Sequence, residues 1–364
     1  MIEINSAPAW AEGTRRPPSS DAGTWRPSAQ AFGRFARAVA LRYSGHYPDP
    51  LQPGHRLPRV RFWEAWNEPN LPEYLTPQWV EHDGHYIAES PIIYRSLLNA
   101  FYSSVKKVSK SNDVLAGATA PFGDLEPGPT ARIPPVTFDQ DLLCLVGPSL
   151  RAGHCGAPAH FDILDHHPFD IGSPLTHAVN PGDVSVPDMG KLTRLLAAAR
   201  RAGTVAPRTK KQVWASELVW TSRPPDRGGV PLRTQARYLE QGLYVLWREG
   251  VDTVLWLQIV DDKRSSSALY GGLYFSDGRA KPAATAFRFP FVTTRRNAHA
   301  VMAWGHAPVA GSLQIQRRSG RRWLTVKRAK VRRFATFFFP VGQTGSATFR
   351  ARIGSAVSLP WSQA

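Results

Sequence analysis

Between residues 1 and 292, short apolar stretches alternate with stretches of helical periodicity. This alternation constrains the fold more than any other property of the chain. Strands are expected at 2–5, 60–67, 114–118, 161–164, 212–216 and 253–259. Helices are expected at 29–44, 91–110, 137–145, 189–202, 233–249 and 282–287. In the first helix Phe32, Phe35, Ala36, Val39 and Leu41 are expected on one side; in the second, Leu97, Leu98, Phe101 and Val105 recur at helical spacing. Gly250 closes the helix at 233–249, in the position where helices commonly end. Strands joined through helices pair in parallel, because a parallel pair needs a long crossover connection. An α/β architecture built on a parallel sheet follows.

From residue 293 the rhythm changes. Short strand segments at 300–304, 311–317, 323–326, 336–340 and 348–353 are separated by turns, several of them containing Gly, with no helical pattern between them. The expected organisation is an α/β domain at 1–292 followed by a small C-terminal β-sandwich at 293–364. The net charge of +17 is concentrated in this second part: residues 293–364 carry thirteen Lys/Arg and no Asp or Glu. No nucleic-acid-binding motif accompanies the charge, so no nucleic-acid partner is expected. The remaining readings are a solvated basic face and a surface for an acidic polymer.

No stretch approaches the ~20 apolar residues of a membrane span, and no signal peptide opens the sequence. Cys144 and Cys155 lack metal-ligand spacing. They form a loop disulfide if the protein is exported and stay free and buried if it is cytosolic.

Two carboxylates stand out on the strands. The run Trp63-Glu64-Ala65-Trp66-Asn67-Glu68-Pro69-Asn70 places Glu68 at the end of an aromatic strand, just before a Pro that cannot continue it. A carboxyl group in partly dry, aromatic surroundings holds its proton to higher pH, as a general acid requires. Asn67 offers an amide to a sugar hydroxyl, and Trp faces stack on sugar rings. Glu64 lies four residues earlier and deeper in the strand, where a buried, paired role is expected. The second carboxylate is Glu217, near the end of Gln212-Val213-Trp214-Ala215-Ser216-Glu217-Leu218. The 149 residues between Glu68 and Glu217 leave room for three βα units.

The strand ending in Asn67-Glu68-Pro69 resembles the acid/base motif of the glycoside hydrolases of clan A, retaining (β/α)8 barrels with an Asn-Glu pair at the end of strand 4. The resemblance covers residues 1–292. It implies a TIM-type barrel represented by strands 3 to 8 only, since nothing in the alternating pattern supplies strands 1 and 2. The chain is therefore expected to be truncated or to begin at an internal Met. The resemblance implies Glu68 as acid/base and Glu217 as strand 7 nucleophile. Asn67 bonds the hydroxyl beside the reacting carbon. His167 matches the strand 6 histidine, Trp256 the aromatic floor on strand 8, and Trp10 and Gln258 add to the substrate rim, with Asp261 nearby. Many members carry a Tyr two residues after that histidine to bond the nucleophile; this chain has Phe169, which cannot. The arginine that strand 2 usually supplies has no equivalent.

The implied activity is retaining hydrolysis of O-glycosidic bonds in an oligo- or polysaccharide, with secretion as the implied location and no metal or organic cofactor. Two alternatives stay open at this level: a carbohydrate-binding pseudoenzyme, and a basic surface-binding protein acting through its C-terminal module.

Overall fold

The structure is a computed structural model, and it describes residues 1–169, 172–263, 265 and 267–363. The chain forms two compact units. The first comprises 1–169, 176–218 and 249–255; the second comprises 219–248 and most of the chain from 256 onward, with the short piece at 172–175.

The first unit is built on a six-stranded sheet whose spatial order is the chain order: β1 (Ile2–Ile4), β2 (Phe62–Ala65), β3 (Asp113–Thr119), β4 (Ile163–His166), β5 (Gln212–Leu218) and β6 (Thr253–Trp256). Strands β1 to β5 pair in parallel throughout. β1 and β6 stand at the two edges of this sheet. These are the six strands that the sequence pattern supplies, and they match an incomplete barrel of the TIM type.

Each of five strands contributes one residue to a common apolar layer: Phe62, Leu115, Ile163, Trp214 and Leu255. The Phe62 and Trp214 rings lie 4.8 Å apart, although their strands are separated in the sheet by β3 and β4. The sheet must curl for that contact to exist. Burying such side chains supplies roughly 1.5–3 kcal/mol each, enough to hold the curvature at this level of the sheet. With side chains alternating along a strand, the next inward positions on β2, β4 and β5 are Glu64, Asp165 and Ser216. They are polar and buried.

Two helices of the first unit cover β2. α1 (Ala29–Arg42) starts where the Ser28 hydroxyl accepts the Ala31 N–H at 3.3 Å, an N-cap. α2 (Ser90–Val108) packs against it, with the Phe32 ring stacked on Phe101 at 5.1 Å and edge-on to Trp66 at 5.3 Å. The buried stripe of α1 is Phe32, Gly33, Ala36 and Ala40; Phe35 and Leu41, expected on the core side, are exposed. Small residues win that face because Gly33 passes so close to α2 that a Cβ there would stand 3.0 Å from the Ala100 carbonyl oxygen. α3 (Pro135–Leu142) and α4 (Gly190–Ala202) complete the helices of this unit. A hairpin pairing Trp79–His82 with His85–Ala88 has no counterpart in the expected pattern. Cys144 and Cys155 are joined in a disulfide with their Cα atoms 6.0 Å apart.

The second unit contains α5 (Leu232–Arg248), α6 (Pro282–Arg288) and two antiparallel sheets. One sheet orders β7 (Phe291–Asn297), β8 (Ala300–His306) and a later strand, β11 (Thr336–Gly342). The other orders β10 (Arg322–Val331), β9 (Gly311–Ser319), β12 (Ala347–Ile353) and β13 (Ala356–Val357), with β14 (Trp361–Gln363) also pairing β12. Trp304 is buried, edge-on to Tyr244 at 5.6 Å and tilted against Trp247 at 6.1 Å, both on α5. It is a packing residue rather than an exposed platform. No helix among the described residues is long and apolar enough to cross a membrane.

Candidate active site

At the C-terminal end of β2 the backbone turns sharply. Trp66 has φ +75° and Glu68 φ +39°, both in the left-handed region that side chains disfavour. The turn is pinned by the Trp66 N–H bonding the Ile4 carbonyl at 2.9 Å and the Glu68 N–H bonding the Ala118 carbonyl at 3.0 Å. Pro69 follows this turn, and Asn70 is buried with its amide bonding the Ala120 and Ile133 carbonyls. Non-Gly residues held at positive φ cluster at functional sites. A neighbouring bulge on β3 makes room: Gly117 has φ +101°, and a Cβ there would fall 2.6 Å from the Asp165 carbonyl oxygen.

Three expected site residues converge. His167 Nδ1 lies 3.1 Å from Glu68 Oε1 and 3.8 Å from Glu217 Oε2. The sum of these distances, 6.9 Å, is an upper bound on the separation of those two carboxylate oxygens. His167 is 1% exposed, whereas the Glu68 and Glu217 side chains are 12% and 30% exposed. The carboxylates thus face outward from a buried imidazole.

The hydrogen bonds behind His167 fix its proton. Ser216 donates its backbone N–H to Asp165 Oδ1 at 3.1 Å, and its hydroxyl donates to Asp165 Oδ2. With its hydrogen committed to a carboxylate, Ser216 Oγ can only accept from His167 Nε2, 3.0 Å away. Nε2 therefore carries a hydrogen. Nδ1 then meets Glu68 in one of two forms: as a lone pair accepting the proton of a neutral Glu68, or as an N–H donating to its carboxylate. The pair shares one proton. Burial by itself would push His167 down; the bond to Glu68 and the charges of Asp165, Glu217 and Glu68 outweigh it, and the net direction is up.

Burial raises Glu217; the nearby His167 opposes the shift, while Glu68, Glu3 and Asp165 add to it. Glu64 is 2% exposed, and burial together with the charge and hydrogen bond of Asp165 pushes it well above the carboxylate range. His166, by contrast, points away: Nδ1 meets Thr119 Oγ1 at 2.8 Å, Nε2 meets the Val184 carbonyl at 2.9 Å, and burial lowers it to about 3. It is a neutral structural residue.

Glu64, Asp165 and His167 offer ligand atoms within 4.8 Å of one another. Both nitrogens of His167 already serve Glu68 and Ser216, and Asp165 is committed to Ser216. The set suits a proton network better than a cation.

Asn67 Oδ1 is buried without a hydrogen-bond partner among the described residues, an open acceptor beside Glu68. Trp10 is 75% exposed and lines a cleft of about 600 Å³ with Trp66, Phe32 and Phe35. Trp256 and Gln258 belong to the second unit. There the Trp256 indole N–H bonds the Gly271 carbonyl at 2.8 Å and the Gln258 amide bonds the Leu269 carbonyl at 2.9 Å. Asp261 is buried in an ion pair with Lys281 at 2.6 Å, so it holds the fold of that unit together. Phe169 stacks edge-on to His167 at 6.0 Å.

The residues that sequence reasoning missed are Asp165, Ser216, Glu3 and Tyr74. Burial raises Glu3, and the charges of Glu68 and Asp165 reach it. Burial also raises the Tyr74 phenol, with Glu68, Glu217 and Glu3 adding to the shift. An aromatic hydroxyl thus stands within electrostatic range of both carboxylates, although Phe169 supplies none. The i, i+2 spacing of Asp165 and His167 was the one usable signal; the role of Ser216 depends on strand register, which the sequence does not display.

No family model matches the chain, and no curated protein matches it. Among solved structures, it is similar to a family 39 glycoside hydrolase from Bacteroides cellulosilyticus WH2, with TM-score 0.54 and 17% identity over 94% of this chain and 67% of that one. It is also similar to a monomeric β-xylosidase from Caulobacter crescentus CB15 (TM-score 0.47, 14% identity, 94% and 78% covered). A third is the family 39 enzyme from Xanthomonas axonopodis pv. citri (TM-score 0.46, 13% identity, 94% and 76% covered). The first of these carries the comparison: the chain has the fold of glycoside hydrolase clan A, represented here by six strands of the barrel.

Proposed function

We propose that the chain is a retaining glycoside hydrolase acting on the O-glycosidic bonds of an oligo- or polysaccharide, with Glu217 as nucleophile and Glu68 as acid/base. The observation that carries this reading is the convergence of both carboxylates on His167 Nδ1. Their oxygens lie within 6.9 Å of each other. That ceiling admits the roughly 5–5.5 Å of a retaining pair and leaves only the lowest part of the roughly 6.5–9.5 Å range of an inverting pair.

In this mechanism Glu217 attacks the anomeric carbon while Glu68 gives its proton to the leaving oxygen. A covalent glycosyl-enzyme forms, and Glu68 then takes a proton from the water that releases the sugar. Asn67 Oδ1 accepts the hydroxyl beside the reacting carbon. Because Nε2 is fixed as a donor, His167 presents Nδ1 to Glu68 and exchanges a proton with it in both half-reactions. Trp10 lines the cleft beside β1.

Residues 293–364 are read as a β-rich module of sandwich type, holding the two antiparallel sheets except for the first two residues of β7. The disulfide favours an oxidising compartment and hence export. The test is hydrolysis of a panel of aryl glycosides by the chain, its Glu217→Gln variant and its Glu68→Gln variant. Turnover abolished by Glu217→Gln supports the reading. Sugar binding that persists in a wild-type chain with no turnover on any substrate would replace it with a binding protein.

A further inference from the structure

The sheet formed by β10, β9 and β12 has two unlike faces. Leu313, Ile315, Phe349, Ala351 and Ile353 lie on one and are all buried. The other is set by register. Gln314 stands opposite Arg328 on β10 and Arg352 on β12; Gln316 stands opposite Thr325 and Arg350; Arg318 stands opposite Trp323. Directly paired residues share a face. This face therefore gathers Arg318, Arg328, Arg350 and Arg352 around a row of amides, in a segment that contains no Asp or Glu. None of these four guanidiniums is in an ion pair among the described residues, and Arg318, Arg328 and Arg352 are exposed.

The centre of the face is ordered by its own hydrogen bonds. Arg350 Nε donates to Gln316 Oε1 at 2.8 Å, the Gln316 amide donates to Gln314 Oε1 at 3.2 Å, and the Thr325 hydroxyl donates to the same oxygen at 3.2 Å. The Arg350 guanidinium lies 4.3 Å from the centre of the Trp323 ring. Unpaired like charges on a preset polar surface are a binding face for an anion of matching spacing.

We propose that this face binds a polyuronate, an acidic polysaccharide whose carboxylates along one side of the chain are separated by hydroxyl-bearing ring positions. Arg328, Gln314 and Arg352 make a line of cation, amide and cation across three strands. With strands about 4.8 Å apart, the two outer backbones are roughly 10 Å apart. Carboxylates pair with the guanidiniums, and a sugar hydroxyl between them meets the amide. A nucleic acid presents a phosphate every ~3.4 Å along each strand, and single strands are held by base stacking on open aromatic faces. Among the described residues the aromatic ring on this face is Trp323, and Arg350 lies over one side of it. The inference stands whether or not the Glu68–Glu217 site turns over.

The test uses the full chain and three probes: polygalacturonate, its fully methyl-esterified form and a poly(dT) strand, each followed by affinity electrophoresis or calorimetry over a salt series. Polygalacturonate should bind with an affinity that falls as salt rises, and the esterified polymer should not bind. Arg328→Gln/Arg352→Gln should weaken binding ~10-fold or more, while the charge-matched Arg332→Gln/Arg333→Gln control should change it less than ~3-fold. Equal loss in both variants would reduce the effect to net charge and overturn the proposal. So would tighter binding of poly(dT), binding of the esterified polymer as tight as of the acid, or no binding of polygalacturonate at low salt. The comparison of acid and ester needs no variant, so it holds even where a substitution disturbs folding.

Discussion

The assignment of the His167 proton is open to direct attack at Ser216. Ser216→Ala removes the one acceptor of the Nε2 hydrogen among the described residues and the hydroxyl donor to Asp165 Oδ2. Ser216, His167 and Asp165 are 6%, 1% and 0% exposed, so water does not replace the lost partners. Leaving a buried polar group unsatisfied costs about 1–3 kcal/mol. If that loss falls on the proton-transfer step, kcat/KM drops about 5- to 150-fold. The assay separates proton transfer from general damage by leaving group. An alkyl or unactivated aryl glycoside needs the acid and should show the full loss; a dinitrophenyl glycoside departs without a proton and should lose less than ~3-fold. Nitrogen NMR of the imidazole gives an independent reading, with a protonated Nε2 in the wild type. Equal losses on both substrates, or an Nε2 without its hydrogen in the wild type, would refute the reasoning.

Three further outcomes are expected. His167 holds Glu217 down against burial, so His167→Asn should move the acid limb of the kcat/KM profile to higher pH; a limb that stays or moves down contradicts the electrostatics. Asp139 is fully buried with neither carboxylate oxygen bonded among the described residues, and burial raises it well above its ordinary value. Such a group favours the fold fully below its unfolded value of about 3.9, and that contribution is lost as pH rises through the folded value; Asp139→Leu should therefore add about 1–3 kcal/mol at neutral pH and less in acid, read by denaturant titration. Cys144→Ser/Cys155→Ser opens a short loop and should cost about 3 kcal/mol in a thermal melt, matched by reductant on the wild type; an unchanged Tm under reductant argues against the bridge.

How much of this was legible depends on the length scale of each feature. The six strands and their helices follow from local periodicity, and the structure realises them within a few residues. Glu68 and Glu217 were legible because strand ends are marked by Pro69 and by the close of an apolar run. The Ser216–Asp165 bond was not, because it depends on β4 and β5 pairing with Trp214 beside Asp165 and Ala215 beside His166, a register no local pattern encodes. Phe35 and Leu41 misled for a related reason: the close approach of Gly33 to α2 selects a stripe of small residues over the larger ones. Ion pairing hid the part played by Asp261, whose partner Lys281 lies 20 residues away and is fully buried with it.

The central claim is that Glu217 forms a covalent bond to the sugar. Incubation with fluorinated glycosides, which form the glycosyl-enzyme readily and release it slowly, followed by peptide mass spectrometry, tests it most directly. The account predicts one added glycosyl group on the peptide carrying Glu217, absent in Glu217→Gln and persisting in Glu68→Gln with an activated leaving group. A label on any other carboxylate, or hydrolysis with inversion and no label, would contradict it.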